Sequence, residues 1–139
     1  MKLEEGKFKK LFVAELQKYD AHCHTTHGNM YCAGLPDLHI VSKTGMLSWV
    51  ELKFWGAVNA PKEFQSLHGQ MKGAQIGVIK HQMWRRNSAC LLVSQIGNDL
   101  ENCAVCYKDT FNIMPWKHLA KLIAISSDFT TVLSHAIPR

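Results

Sequence analysis

The 139-residue chain contains no apolar run near the ~20 residues that a membrane-spanning helix requires. Its opening, Met1-Lys2-Leu3-Glu4-Glu5-Gly6-Lys7, is charged and has no apolar signal region behind it. The expectation is a cytoplasmic protein with no membrane partner. Cysteine is sparse and odd in number, five residues, which fits free thiols in a reducing compartment better than a disulfide framework. There is no internal repeat and no low-complexity stretch. Acidic residues are outnumbered, 11 against 16 Lys and Arg, giving a formal charge of +5 and a pI near 9.0. That balance favours polyanions as partners, nucleic acid first. What is present in normal measure is apolar residue, 47%, enough for a core and too much for wholesale disorder. The length is that of one domain spanning 1–139, with a core over about 4–108 and a C-terminal helix and tail over about 113–139.

The informative stretch runs from Gly34 to Lys53. Leu38 to Val41 and Ser48 to Phe54 are short runs rich in apolar and β-branched residues, and Ser42-Lys43-Thr44-Gly45 between them has turn composition, so a β-hairpin is expected. Side chains alternate faces along a strand. Val50, Leu52 and Phe54 therefore share one face, suited to burial against a helix, and Trp49, Glu51 and Lys53 share the other. Asp37, at the start of the first strand, can reach Glu51 across an antiparallel pair. Two carboxylates and a lysine at one end of a hairpin make a hard, oxygen-rich site of the kind Mg²⁺ takes, one or two carboxylates with waters and phosphate oxygens completing the shell. A surface hairpin with an exposed Glu–Lys pair is the plain structural alternative.

Gly34-Leu35-Pro36-Asp37 together with Glu51-Leu52-Lys53 resembles the PD-(D/E)xK nuclease superfamily, and the Gly-x-Pro-Asp-Leu form is similar to the small phage and bacterial nucleases of its VRR-Nuc and Holliday-junction-resolvase-like branch. The resemblance covers roughly the first two-thirds of the chain. It implies an α/β fold with a restriction-endonuclease-like core, a mixed β-sheet flanked by helices in the order α-β-β-β-α-β. It implies a DNA endonuclease dependent on Mg²⁺ or Mn²⁺, acting in the host cytoplasm if phage-encoded, with branched DNA as a substrate and a homodimer as its assembly by analogy with branch-cutting relatives. On this chain the implied metal ligands are Asp37, Glu51 and the Leu52 main-chain carbonyl. Lys53 is implied to orient or activate the attacking water. Glu5-Gly6-Lys7-Phe8 looks like the family's Glu-Gly-x-Phe opening and makes Glu5 the further acidic residue, ahead of Glu15. Gln75, ahead of Gln82, is the glutamine implied to support the lysine. The rival reading is a non-catalytic nucleic-acid-binding module that keeps the nuclease shell; completeness of the motif argues against it.

The remaining segments are read from pattern. Phe8, Leu11, Phe12, Leu16 and Tyr19 predict a helix over about 4–19, with Lys7 and Lys10 off its apolar stripe and free to face phosphate. His22-Cys23-His24-Thr25-Thr26-His27 and Cys32 offer zinc-type ligands at a spacing that matches none of the common zinc patterns. His24 and His27 are candidates for phosphate contact instead. Met71, Ala74, Gln75, Val78, Ile79 and Met83 predict the buried stripe of a helix over about 70–87, ending in the basic residues Lys80, His81, Arg85 and Arg86. Arg85 and Arg86 join the nucleic-acid candidates. Gly69, Gly73 and Gly77 recur every four residues and suggest a face where another backbone or a nucleic-acid backbone comes very close. Strands are expected over about 89–96 and 102–107, the second placing Cys103 and Cys106 on opposite faces. Pro115 suits the first turn of a helix reaching about Ile125.

Overall fold

The computed structural model describes residues 5–26, 34–55 and 73–138. Helix α1 (Glu5–Lys18) leads into strands β1 (His22–Thr25), β2 (Leu38–Val41) and β3 (Leu47–Trp55). A short α-helical turn, α2 (Gly73–Gln75), runs directly into a wider π-type helix, α3 (Ile76–Trp84). Strands β4 (Cys90–Ile96), β5 (Asn102–Tyr107) and β6 (Thr110–Pro115) follow, then helices α4 (Trp116–Ile125) and α5 (Phe129–Ala136). The strands form one six-stranded sheet in the order β1-β2-β3-β4-β5-β6. All neighbours are antiparallel except β3 and β4, which are parallel and so need the crossover that contains α2 and α3. The architecture is mixed α/β, a mixed sheet flanked by helices. No described helix is long and apolar enough to cross a membrane.

Alternation along the strands divides the sheet into two unlike faces. Leu38, Ile40, Val50, Leu52, Leu91, Val93, Cys103 and Val105 point one way and join Phe8, Phe12 and Leu16 of α1 with Leu119, Ile123 and Val132 of α4 and α5. Phe8 packs edge-on against Phe12 and against Trp116, with ring centroids 6.0 and 5.9 Å apart. The hairpin turn is tied to the end of α4: Lys43 N–H donates to the Ala124 carbonyl at 2.7 Å, and Ser42 Oγ and Thr44 Oγ1 both donate to the Ser126 carbonyl at 2.9 Å. The C-terminal helices thus complete the core rather than trail from it. On the opposite face Ile79 and Trp84 of α3 cover Cys90, Leu92, Ile96, Ala104 and Cys106. Cys103 and Cys106 lie on opposite faces, as strand alternation requires, and both are buried free thiols.

Three expectations need correction. The helix over 70–87 is described only from Gly73, and it is α-helical only to Gln75; Ala74 is exposed, Gln75, Val78 and Met83 are half-buried, and Trp84 is the residue that shares the core with Ile79. An i→i+5 repeat puts residues five apart on one face, so a 3.6-residue stripe misreads it. Among the described residues a Cβ on Gly73 or Gly77 would meet nothing within 4 Å, so neither marks a close approach of the described protein backbone; Gly69 lies outside the described residues. Residues 110–115, given no structure by pattern, form the edge strand β6, and Pro115 ends it before α4 begins at Trp116. An edge strand can hold proline because no further neighbour needs its missing N–H.

Candidate active site

The site is built where β2 begins, midway along β3, and where α2 meets α3. Gly34 has φ +91°, a conformation glycine adopts without steric cost, and a Cβ there would collide with the Ala74 carbonyl. The close approach between backbones therefore occurs at Gly34, and it seats the start of the helix, with Gln75, over β3. Pro36 is buried, and Asp37 follows it directly before β2.

Asp37 and Glu51 are clamped to each other's strands. The Asp37 N–H donates to Glu51 Oε1 at 3.2 Å, and the Leu52 N–H donates to Asp37 Oδ2 at 2.9 Å. Each carboxylate thus satisfies a backbone donor of the other's segment, which fixes both without a cation. Gln75 bridges the remaining groups. Its Nε2 donates to Glu51 Oε2 at 2.7 Å, and its Oε1 accepts from Lys53 Nζ at 2.8 Å. Lys53 Nζ stands 3.9 Å from Glu51 Oε2, with its side chain 12% exposed. An amide is suited to this post because it offers a donor and an acceptor at once.

Glu51 is 1% exposed. Burial, and then the neighbouring Asp37 carboxyl by hydrogen bonding and by charge, push it up to about 8, against the opposing pull of Lys53. Two carboxyls in one dry corner disfavour each other's ionised form. A divalent cation relieves that conflict, and hard oxygen donors are what Mg²⁺ or Mn²⁺ accepts. The donor set fits such an ion. Among the described residues no three His, Cys, Asp or Glu side chains are grouped to hold a metal, so two carboxylates are the described protein anions available here.

The same face carries a row of rings beside the acidic pair. His39 pairs with His24 across β1 and with Trp49 across β3. The His39 and Trp49 rings stack at 4.4 Å, His24 lies 6.2 Å from His39, and His22 meets His24 edge-on at 4.8 Å. Burial, then the charge of His24, lowers the His39 pKa. The sequence reading placed Trp49 on the Glu51 face and missed His39. The signal was available, because His39 stands two residues from Asp37 as Trp49 does from Glu51. Cys23 points to the other face, and burial pushes its thiol up to about 11, so it does not join His22 and His24 as a ligand.

Of the sequence-derived candidates, Asp37, Glu51, Lys53 and Gln75 are brought together around the Leu52 peptide. Glu5 opens α1, but its side chain lies outside the described residues, as do Glu4, His27 and Cys32. Glu15 is half-buried and pairs with Lys18 at 3.8 Å. His24 is exposed in the ring row. Arg85 and Arg86 are exposed at the end of α3, on the face of the acidic pair, whereas Lys7 and Lys10 are exposed on α1, which packs on the other face. Compared with known protein families, with curated proteins and with solved structures, the chain has no match.

Proposed function

We propose that the chain is a divalent-metal-dependent nuclease that hydrolyses DNA phosphodiester bonds on a restriction-endonuclease-like core. The observation that carries this reading is the bridge Glu51–Gln75–Lys53 with Asp37 clamped beside it. A solvated surface pair would not bury a glutamate to 1% exposure, push its pKa up and tie it through an amide to a lysine. Asp37, Glu51 and the Leu52 carbonyl would hold the cation. When bound, it neutralises phosphate charge and lowers the pKa of water.

The chain's own groups divide the remaining work. Gln75 holds the Lys53 ammonium by its Oε1, so that the charge stays over the acidic pair instead of swinging into solvent. Lys53 then presents donors to the attacking water and to a non-bridging phosphate oxygen, where negative charge builds. Glu51, ionised once a bound cation offsets the Asp37 charge, would orient Lys53 electrostatically, and Asp37 sets the position of Glu51 through the backbone clamp. The products are a 5′-phosphate and a 3′-hydroxyl. The test is cleavage of matched four-way-junction, flap, duplex and single-strand DNA in Mg²⁺ and in EDTA. Metal-dependent cutting of at least one of them is expected, and its preferred form identifies the substrate; no cutting of any of them contradicts the reading.

A further inference from the structure

On the face that carries the acidic pair, but at the far end of α3, Lys80, Trp84, Arg85, Lys108 and Asp109 line a pocket of about 270 Å³. At roughly 30 Å³ per water, that volume holds a hydrated phosphodiester group. Trp84 in its lining is buried and held by two contacts: its indole N–H donates to the Cys90 carbonyl at 2.9 Å, and its ring meets that of Tyr107 at 6.3 Å. Three cations face one carboxylate, Asp109. Among the described residues neither Lys80 nor Arg85 has a salt-bridge partner.

Lys108 is held in place at a backbone cost. It occupies the first position of the two-residue turn joining β5 to β6, between the paired residues Tyr107 and Thr110, with φ 55°. Positive φ at that position alone is the pattern for which hairpins use glycine. Asn87, in the turn after α3, also has positive φ, 59°. Its Oδ1 accepts from Lys108 Nζ, and the Tyr107 ring lies 5.3 Å from the same ammonium. Two turns in left-handed conformation thus converge to fix one ammonium at the pocket. A strained non-glycine residue that persists at a charged pocket points to use of its side chain.

We propose that this pocket is a second phosphate-binding site, which takes a backbone phosphate of the nucleic acid whose scissile bond lies at Glu51 and Lys53. This rests on the nuclease reading of the face. Gln75 and Arg85 are ten residues apart along α2 and α3, no more than roughly 15 Å by helical rise, or about four nucleotide steps at ~3.4 Å per nucleotide.

The test is binding of a fluorescent 20-base-pair duplex, read by anisotropy in EDTA over a salt series, alongside thermal denaturation. Lys108→Gly is the diagnostic variant, because glycine relieves the turn while the ammonium is lost. The protein should melt at a higher temperature and bind DNA more weakly, with the slope of log K against log salt reduced by about 0.9. Arg85→Gln and Lys80→Gln should each lower the slope without the gain in stability, and Asp109→Asn should tighten binding. Slopes unchanged across these variants would overturn the site, as would no duplex binding at all, or displacement of the duplex by poly-glutamate at equal charge. Because the measurement needs no turnover, duplex binding with these slopes while none of the four DNA forms is cut in Mg²⁺ leaves the pocket standing and removes the nuclease reading. Cutting with unchanged slopes does the reverse.

Discussion

Strand β3 sends alternate side chains into two different environments. Val50 and Leu52 enter the dry core against α1, while Glu51 and Lys53, one residue away each time, enter a polar corner under Gln75. The first face gains stability from every side chain it buries, at roughly 25 cal/mol per Å² of apolar surface. The second buries a carboxylate beside another carboxylate, which costs free energy unless a cation or a proton intervenes. A strand with a solvated outer face would put Glu51 in water. This one holds it dry, and the nuclease proposal rests on that difference between the two faces.

The largest effect should come from removing charge on the working face. Asp37→Asn and Glu51→Gln each delete one carboxylate of the proposed site at nearly constant volume. Cleavage should fall by orders of magnitude, while circular dichroism and melting show an intact fold; either variant cutting at the parental rate would remove the site. The converse belongs to the core face. Leu91→Ala should lose about 2–5 kcal/mol in denaturant melts, as buried leucines do, yet leave the activity of the folded fraction unchanged.

A smaller effect follows from pH. In the folded protein Glu51 is raised to about 8 from an ordinary 4.5, so the folded state binds a proton the unfolded chain has released. This contribution to stability is complete below about 4.5 and is lost as the pH rises through about 8. In EDTA the melting temperature should therefore fall between pH 5 and pH 8, and Glu51→Gln should flatten that fall. A wild-type curve parallel to that of Glu51→Gln would mean that the carboxyl is not held as described. The smallest effect should come from the helix on the core side. Lys7→Gln with Lys10→Gln should hardly alter the salt dependence of DNA binding, whereas Arg85→Gln with Arg86→Gln should lower it. Equal effects would mean that nucleic acid wraps both faces.

Much of this contrast was legible in the sequence because strands have a period of two. The facing of Val50 and Leu52 against Glu51 and Lys53 and the splitting of Cys103 from Cys106 follow from alternation alone, and the hairpin turn from the composition of Ser42-Lys43-Thr44-Gly45. The juxtaposition of Asp37 with Glu51 needed only antiparallel pairing. What pattern could not supply was the helix: a 3.6-residue stripe does not find the Ile79–Trp84 face of a π-type turn, and the glycine repeat pointed to Gly73 and Gly77 when the close approach belongs to Gly34. Strand β6 escaped because its polar–apolar alternation lasts only four residues, Thr110 to Ile113, before Met114-Pro115 breaks it, and its pairing with β5 is what makes it a strand. The reciprocal backbone clamp was invisible for a related reason, since it depends on where peptide N–H groups point.

The central claim is that Lys53 is a working group and not half of an ion pair. An exposed Glu–Lys pair is worth ~0–1 kcal/mol, and its loss would pass unnoticed. Lys53→Met keeps the apolar stem and deletes only the charge that Gln75 holds. Single-turnover cleavage at saturating enzyme and Mg²⁺, beside a DNA-binding titration in Ca²⁺, should show binding retained and cutting abolished. A Lys53→Met protein that cuts at the parental rate would contradict the mechanism.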